Sequence, residues 1–208
     1  DGAAALEEIT VTARKREENL QDAPVSVTAF SESALELRSA TSIQSLAAFT
    51  PNLEINSGKG DGGSTNAAIF IRGVGQNDFI FPTDPGVGLY VDGVYIARSI
   101  GGMLDLADVE RIEVLRGPQG TLYGKNTIGG AINVITTRPG NEFDGKLKAT
   151  MGSDDRMDFD GRVNLPLLPG KLAAKLAASS HNQDGWVERA GDGLDLGDTG
   201  VDVVRGAL

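Results

Sequence analysis

The chain has 208 residues, a net charge of -10, 40% apolar residues and only 5% aromatic ones. That is enough apolar material for a buried core in a domain of ordinary size. The acidic balance excludes a nucleic-acid binder, which needs a basic patch to displace counterions from phosphate. Without cysteine, and with His181 as its one histidine, the chain has no disulfide framework, no thiolate metal site and no His-pair metal motif.

No apolar run approaches the ~18 residues of a spanning helix, which leaves a β-barrel open because barrel strands alternate and never read as apolar runs. The 28 glycines favour turns and strands over a helical bundle. No signal-peptide pattern is read in the sequence, and the acidic start at Asp1 is expected to be a mature terminus after cleavage. Residues 1–22 read as an exposed tail. Within it, Glu7-Glu8-Ile9-Thr10-Val11-Thr12-Ala13 is β-prone and runs into the charged stretch Arg14–Asn19. Such a segment has no evident partner of its own and suits addition to another protein's sheet edge. A disordered terminus or a first strand of the domain are the alternatives.

A globular pattern begins at Ala23. Val25, Val27 and Ala29 alternate as a strand, and Ser31 caps a short helix over Glu32–Arg38. Thr41 or Ser42 is placed to cap a second helix over Ile43–Phe49, ended by Pro51. Leu53 and Ile55 form a brief strand; Ile69, Phe70 and Ile71 form another that runs into Arg72-Gly73. Two loops follow these strands: the polar Asn56–Asn66, and Gly75–Gly86, which carries Phe79, Ile80 and Phe81 either as core or as ligand contacts. Val87–Val91 and Val94–Ile96 flank Asp92-Gly93, a strong type I′ hairpin signal. A third loop, Ala97–Gly102, precedes a helical turn predicted over Leu104–Asp108. Val109–Pro139 then dominates: two short β-branched runs flank a glycine-rich centre, a compact connection with Arg116 at its mouth.

Beyond Pro139 the pattern changes. Met157, Phe159, Gly161, Val163 and Leu165 alternate with Arg156, Asp158, Asp160, Arg162 and Asn164, and flanking segments alternate likewise. Strands of about ten residues with one apolar and one charged face match transmembrane barrel strands; a soluble amphipathic sheet is the alternative. Three or four strands close no barrel and would leave unpaired edges in lipid, so the 208 residues are expected to be part of a longer chain. His181 and Trp186 are read as barrel-rim residues.

Other motifs carry little. Gly120–Asn126 (GTLYGKN) lacks the spacing and the Ser or Thr of a Walker A loop. Gly191–Gly200 (GDGLDLGDTG) is read as a solvated loop over a Ca²⁺ site, since it lacks EF-hand spacing. No Ser/His/Asp or paired-carboxylate arrangement supports catalysis. No catalytic residue, metal site or cofactor is expected, and the chain is read as not an enzyme.

Three features coincide: a β-prone tail segment, a glycine-rich α+β domain and alternating barrel-like strands. In these the chain resembles a TonB-dependent outer-membrane receptor. Glu8-Ile9-Thr10-Val11-Thr12-Ala13 resembles a TonB box. Ile69–Gly73 and Tyr90–Val94 resemble the plug's IRG and DGV motifs. Arg111–Pro118, Leu122-Tyr123-Gly124 and Gly129–Ile135 resemble the family's plug signature. The resemblance implies a periplasmic tail over 1–22, an α+β plug with a small mixed sheet and short helices over 23–140, and the first three to four antiparallel strands of a transmembrane β-barrel over 141–208. Family members have about 22 strands, so the barrel is incomplete here.

The implied mechanism is energised uptake of a scarce ligand across the bacterial outer membrane. The plug sits in the barrel lumen, the N-terminus is periplasmic, and TonB, driven by ExbB and ExbD, pairs with the box as an added strand. A plug-type ligand-sensing or signalling module and a passive gated porin are the alternatives. By likeness to the family, the apical ligand contacts fall on Asn56, Lys59, Asp61, Asn66, Gln76, Asn77, Asp78, Phe79, Phe81 and Arg98, while Arg72 and Arg116 resemble plug arginines that pair with the barrel wall. The ligand is an unidentified small molecule. Few basic residues with Phe79 and Phe81 suit a sugar or an amphipathic organic molecule over a polyanion. Outer-membrane lipid is the other partner implied, and nucleic acid is not one.

Overall fold

A computed structural model describes residues 9–57, 66–77, 83–97, 106, 108–185, 187–191, 193 and 195–208. The chain divides into two compact units, Asp1–Thr136 and Thr137–Leu208.

The first unit opens with β1 (Thr10–Val11) and β2 (Glu18–Asn19), paired antiparallel as a small hairpin. The described part of the tail therefore pairs with itself, against the expectation from the sequence, and buries Val11 and Ala13 while Thr10 and 15–17 stay exposed. Lys15 takes φ 61, which reverses the chain, and Arg14 and Arg16 both reach back to the Glu18 carboxylate. The charged stretch that follows the β-prone segment is the turn that closes the hairpin.

β3 (Val27–Ser31) leads into α1 (Glu32–Leu37), where the Ser31 hydroxyl accepts from the Ala34 amide as a cap should. Ile43–Ala48 winds as a 3₁₀ helix rather than an α-helix, and Ser42 makes no side-chain cap. Instead the Ser42 carbonyl accepts from both the amide and the hydroxyl of Ser45. β4 (Leu53–Ser57), β5 (Ala67–Ile71) and β6 (Val74–Gly75) make a three-stranded antiparallel sheet. Its second turn, Arg72-Gly73, has φ 53 and 77, nearly the values of Asp92-Gly93 at 49 and 81. Both central residues lie at positive φ, as a type I′ turn demands. Asp92-Gly93 is the predicted turn; Arg72-Gly73 went unread, and it brings Gly75 out of the expected loop and into a strand.

β7 (Val87–Val91), β8 (Val94–Ile96), β9 (Val109–Arg116), the one-turn α2 (Gly120–Tyr123) and β10 (Gly130–Thr136) complete the unit. The predicted turn over Leu104–Asp108 falls largely outside the described residues. The main sheet runs β3-β9-β10-β7-β8, with β10 and β7 parallel and every other pair antiparallel. It is the small mixed sheet expected. One face carries Ile112, Val114, Ile132 and Val134, which are buried with Phe30, Leu35, Ile43, Leu46 and Ile71 in the main core. Strand alternation sends Glu113, Leu115, Ala131 and Asn133 to the other face.

In the second unit β11 (Asp144–Met151), β12 (Met157–Leu168), β13 (Leu172–Gln183) and β16 (Thr199–Ala207) form an antiparallel meander. The connection expected between β13 and β16 contains a further small hairpin, β14 (Val187–Glu188) and β15 (Asp195–Leu196). The four strands make an open sheet with no closed barrel.

Candidate functional site

The N-terminal hairpin lies on the second face of the main sheet. Val11 and Ala13 are fully buried in a cluster with Tyr90, Leu115, Tyr123 and Ala131, and Ile9 and Leu20 pack against it. Thr12 is held hardest. Its amide donates to Glu113 Oε1 at 2.7 Å, and its hydroxyl lies 3.0 and 3.3 Å from the two carboxylate oxygens. Glu113 has no solvent exposure, and its Oε1 also accepts from Arg111 Nε at 3.0 Å. A buried carboxylate needs such partners to be tolerated.

All three tyrosines of the chain meet under this segment. Tyr90 and Tyr123 sit edge to face at 5.1 Å, and Tyr95 is 5.3 Å from Tyr90. The Tyr90 hydroxyl donates to the Tyr123 carbonyl at 2.6 Å. Lys15 Nζ lies 4.8 Å over the Tyr123 ring and 5.7 Å over that of Tyr90. Burial, and then the charge of Glu113, push the Tyr123 phenol up to about 12, so it stays neutral and donates weakly to the Thr12 carbonyl at 3.4 Å. Of the predicted box, Ile9, Thr10, Val11, Thr12 and Ala13 are thus placed, and Glu8 lies outside the described residues. The sequence reading missed the dock. Its signals were a glutamate inside the apolar run of β9 and the chain's three tyrosines, all between 90 and 123.

The predicted ligand residues are divided. Lys59, Asp61, Asp78, Phe79, Phe81 and Arg98 lie outside the described residues. Asn56 is exposed and its amide bonds Glu54; Asn77 is exposed and Gln76 half-buried. Asn66, expected at a surface, is instead buried, with its Oδ1 unpartnered among the described residues. Register brings these segments together all the same. Asn56 and Ser57 pair with Ala68 and Ala67, so 58–65 leaves the same end of the three-stranded sheet towards which β6 runs. Gly86 packs on Gly75, and β8 ends beside the start of β7. All three loops therefore issue from one side.

Arg72 and Arg116 sit close to each other. The Arg72 guanidinium lies against Gly117, where a Cβ would come within 3.4 Å of Nη1. Arg116 Nε is buried without a partner, and neither arginine makes an ion pair among the described residues. Arg72 also lines a cleft of about 280 Å³ with Asn52, Glu54 and Phe70.

The second unit is inside-out by the standard of a water-soluble sheet. Leu147, Gly161, Ala178 and Val204 form one cross-strand row, and on this face Leu147 is 91% and Val204 75% exposed. Asp158, Asn164, Lys175, Ser179 and His181, of the opposite alternation, are buried. Arg156 pairs with Asp158 at 2.6 Å and His181 with Asp160 at 2.9 Å. His181 lies on the polar face near the end of β13; Trp186 lies outside the described residues. Charged residues buried and leucines exposed are the arrangement that lipid outside and water inside select.

Comparison with known proteins agrees with this geometry. Residues 19–131 match the family model of the TonB-dependent receptor plug domain. The vitamin B12 transporter BtuB of Vibrio vulnificus is 30% identical over 91% of this chain and 30% of its own length. The pesticin receptor of Yersinia pestis is 33% identical over 92% of this chain and 28% of its own. The crystal structure of the ferric yersiniabactin uptake receptor FyuA from Yersinia pestis superposes with a TM-score of 0.75 at 32% identity, over 88% of this chain and 28% of that one. The chain thus spans under a third of the length of these relatives. Family match, plug topology and inside-out sheet agree: the chain belongs to the TonB-dependent receptors of the outer membrane.

Proposed function

We propose that this chain is the plug and the opening barrel strands of an energised importer of the bacterial outer membrane. The carrying observation is the docked segment Ile9–Ala13: a β-prone strand held at the N-terminus of the plug by a side-chain latch, not fused into the main sheet. In this reading the plug fills the barrel lumen, the N-terminus faces the periplasm, and the apolar face of β11, β12, β13 and β16 meets outer-membrane lipid. Ligand binds to the loops gathered on one side, among them Asn56, Gln76, Asn77 and the segments carrying Phe79, Phe81 and Arg98. TonB, energised through ExbB and ExbD, takes residues 8–13 as an added strand. Arg72 and Arg116 await carboxylates of the barrel wall, which fits their lack of ion pairs here. A removable plug needs polar contacts of this kind, because a fused apolar interface would hold it in place.

Relatives are named for vitamin B12 transport and ferric yersiniabactin uptake. For this chain the sparse basic residues and the Phe79/Phe81 loop support a sugar or an amphipathic organic ligand. Deleting residues 8–13 from the full-length receptor tests the mechanism: uptake should stop while ligand binding at the cell surface persists. Undiminished uptake would overturn energised transport in favour of a passive gated pore.

A further inference from the structure

The docked box offers little free strand edge. On one side, Val11 pairs with Glu18, and the Ile9 carbonyl accepts from Leu20 at 2.9 Å. Alternation turns the Thr10 backbone to the other side, as it does the Thr12 amide, while the Thr12 carbonyl accepts from Lys15 N at 2.8 Å in the turn. There the Thr12 amide is taken by the buried Glu113 carboxylate. A carboxylate oxygen at 2.7 Å occupies the place that the carbonyl of an added strand would take.

We infer that Glu113 is a stand-in for the partner strand: a positioning residue that caps the free edge of the box and so sets how often residues 9–13 are available for strand addition. This rests on the reading of 8–13 as the strand-donating segment. The floor of the dock fits an exchange, not a permanent bond. Glu113 is directly opposite Asn133, and Asn133 is directly opposite Tyr90. Asn133 is buried, and its Oδ1 has no partner among the described residues. A polar row roofed by the hairpin is under-satisfied while the roof is on, and water satisfies it when the roof lifts. The cost of freeing Glu113 and Thr12 is offset by wetting Asn133.

The test uses the full-length receptor in outer-membrane preparations, with Val11→Cys as a buried reporter and a maleimide as the probe, in a background otherwise free of reactive cysteine. Adding Glu113→Gln keeps the shape and removes the charge; adding Glu113→Ala removes the cap. Labelling without ligand should rise roughly tenfold or more, since a bond to a charged group of this kind shifts an equilibrium by about one to two powers of ten. Ile132→Cys, in the main core, should stay unlabelled in the Glu113→Gln background, which separates release of the box from unfolding. Unchanged labelling at Val11→Cys with Glu113→Gln overturns the inference. So does labelling that rises equally at Ile132→Cys. Binding of the purified periplasmic domain of TonB is read separately: faster labelling with no gain in that binding leaves the latch standing and overturns the assignment of TonB as its partner.

Discussion

Val11→Ala asks whether the hairpin is a separable part of the plug. Val11 is fully buried among Tyr90, Leu115, Tyr123 and Ala131. The substitution removes both γ-methyls, about 0.8 kcal/mol each in lost transfer energy. The contacts below are ring faces and strand backbone that collapse poorly, so a cavity cost brings the total to about 2 kcal/mol. That is roughly a thirtyfold rise in the undocked population. Hydrogen exchange in the full-length receptor reads it directly: the amides of Thr12 and Leu20, bonded at 2.7 and 2.9 Å, should lose about thirtyfold in protection, while those of 130–136 keep theirs. The reasoning fails if both peptides lose protection together, because the hairpin and sheet would then open as one cooperative unit. It fails equally if neither changes.

Other outcomes follow from the same geometry. At Gly130, with φ +151, an added Cβ would lie 2.2 Å from the Leu115 carbonyl oxygen and 2.9 Å from Ile71 Cδ1, so Gly130→Ala should destabilise the plug by at least about 3 kcal/mol. Gly120→Ala meets nothing within 4 Å and should be near neutral; thermal unfolding of the plug compares the two. Arg14 beside it, assisted by Arg16, holds the Glu18 carboxyl below the ordinary carboxylate range. The hairpin's share of stability from this pair is therefore full at neutral pH and is lost as pH falls through the depressed value. Protection of Leu20 should fall in that window, and Arg14→Gln should remove the pH dependence. In the second unit the Asn164 amide accepts from Gly140 N and donates to Gly140 O, both at 2.9 Å. Asn164→Leu should free the Gly140 amide to exchange while β12 stays protected.

The sequence carried the strands well and the docking badly. Alternation over 156–165 set the register of β12 against both neighbours, because a one-residue slip would turn every apolar side chain to the wrong face. Asp92-Gly93 announced its hairpin because both residues tolerate positive φ. Arg72-Gly73 adopts the same turn with an arginine where asparagine or aspartate is usual, so local chemistry did not reveal it. Ile43–Phe49 was read as a helix capped by Thr41 or Ser42, yet Ile43–Ala48, with no side-chain cap, settles for 3₁₀ winding. The N-terminal segment was misjudged for a different reason. Its burial depends on Tyr90, Glu113 and Tyr123, which lie 78 to 111 residues away along the chain, and no local pattern encodes a contact at that distance. The candidate ligand residues were loop positions taken by likeness to the family, and Asn66 shows what a loop position leaves open: a residue at the foot of a loop can turn inward.

On the proposed function, docking and strand donation are competing fates for Ile9–Ala13 of similar strength. The dock's main contacts are the buried Val11, worth about 2 kcal/mol, one bond to a charged group worth about 1.5–3 kcal/mol, and a cation–π contact from exposed Lys15 worth about 0.5–1 kcal/mol, with Ala13, Ile9 and Leu20 packed beside them. An added strand of six residues would supply a handful of backbone bonds at about 0.5–1.5 kcal/mol net each. Both sums fall at a few kcal/mol, so neither state overwhelms the other. A small change at Glu113 or Val11, or a ligand-driven shift in the sheet beneath them, is enough to decide between the two. A segment that was permanently exposed could not report on the state of the plug. One buried in the main core could not be reached by a partner. Its position on the sheet's second face, under a latch of one carboxylate, is the arrangement that permits both.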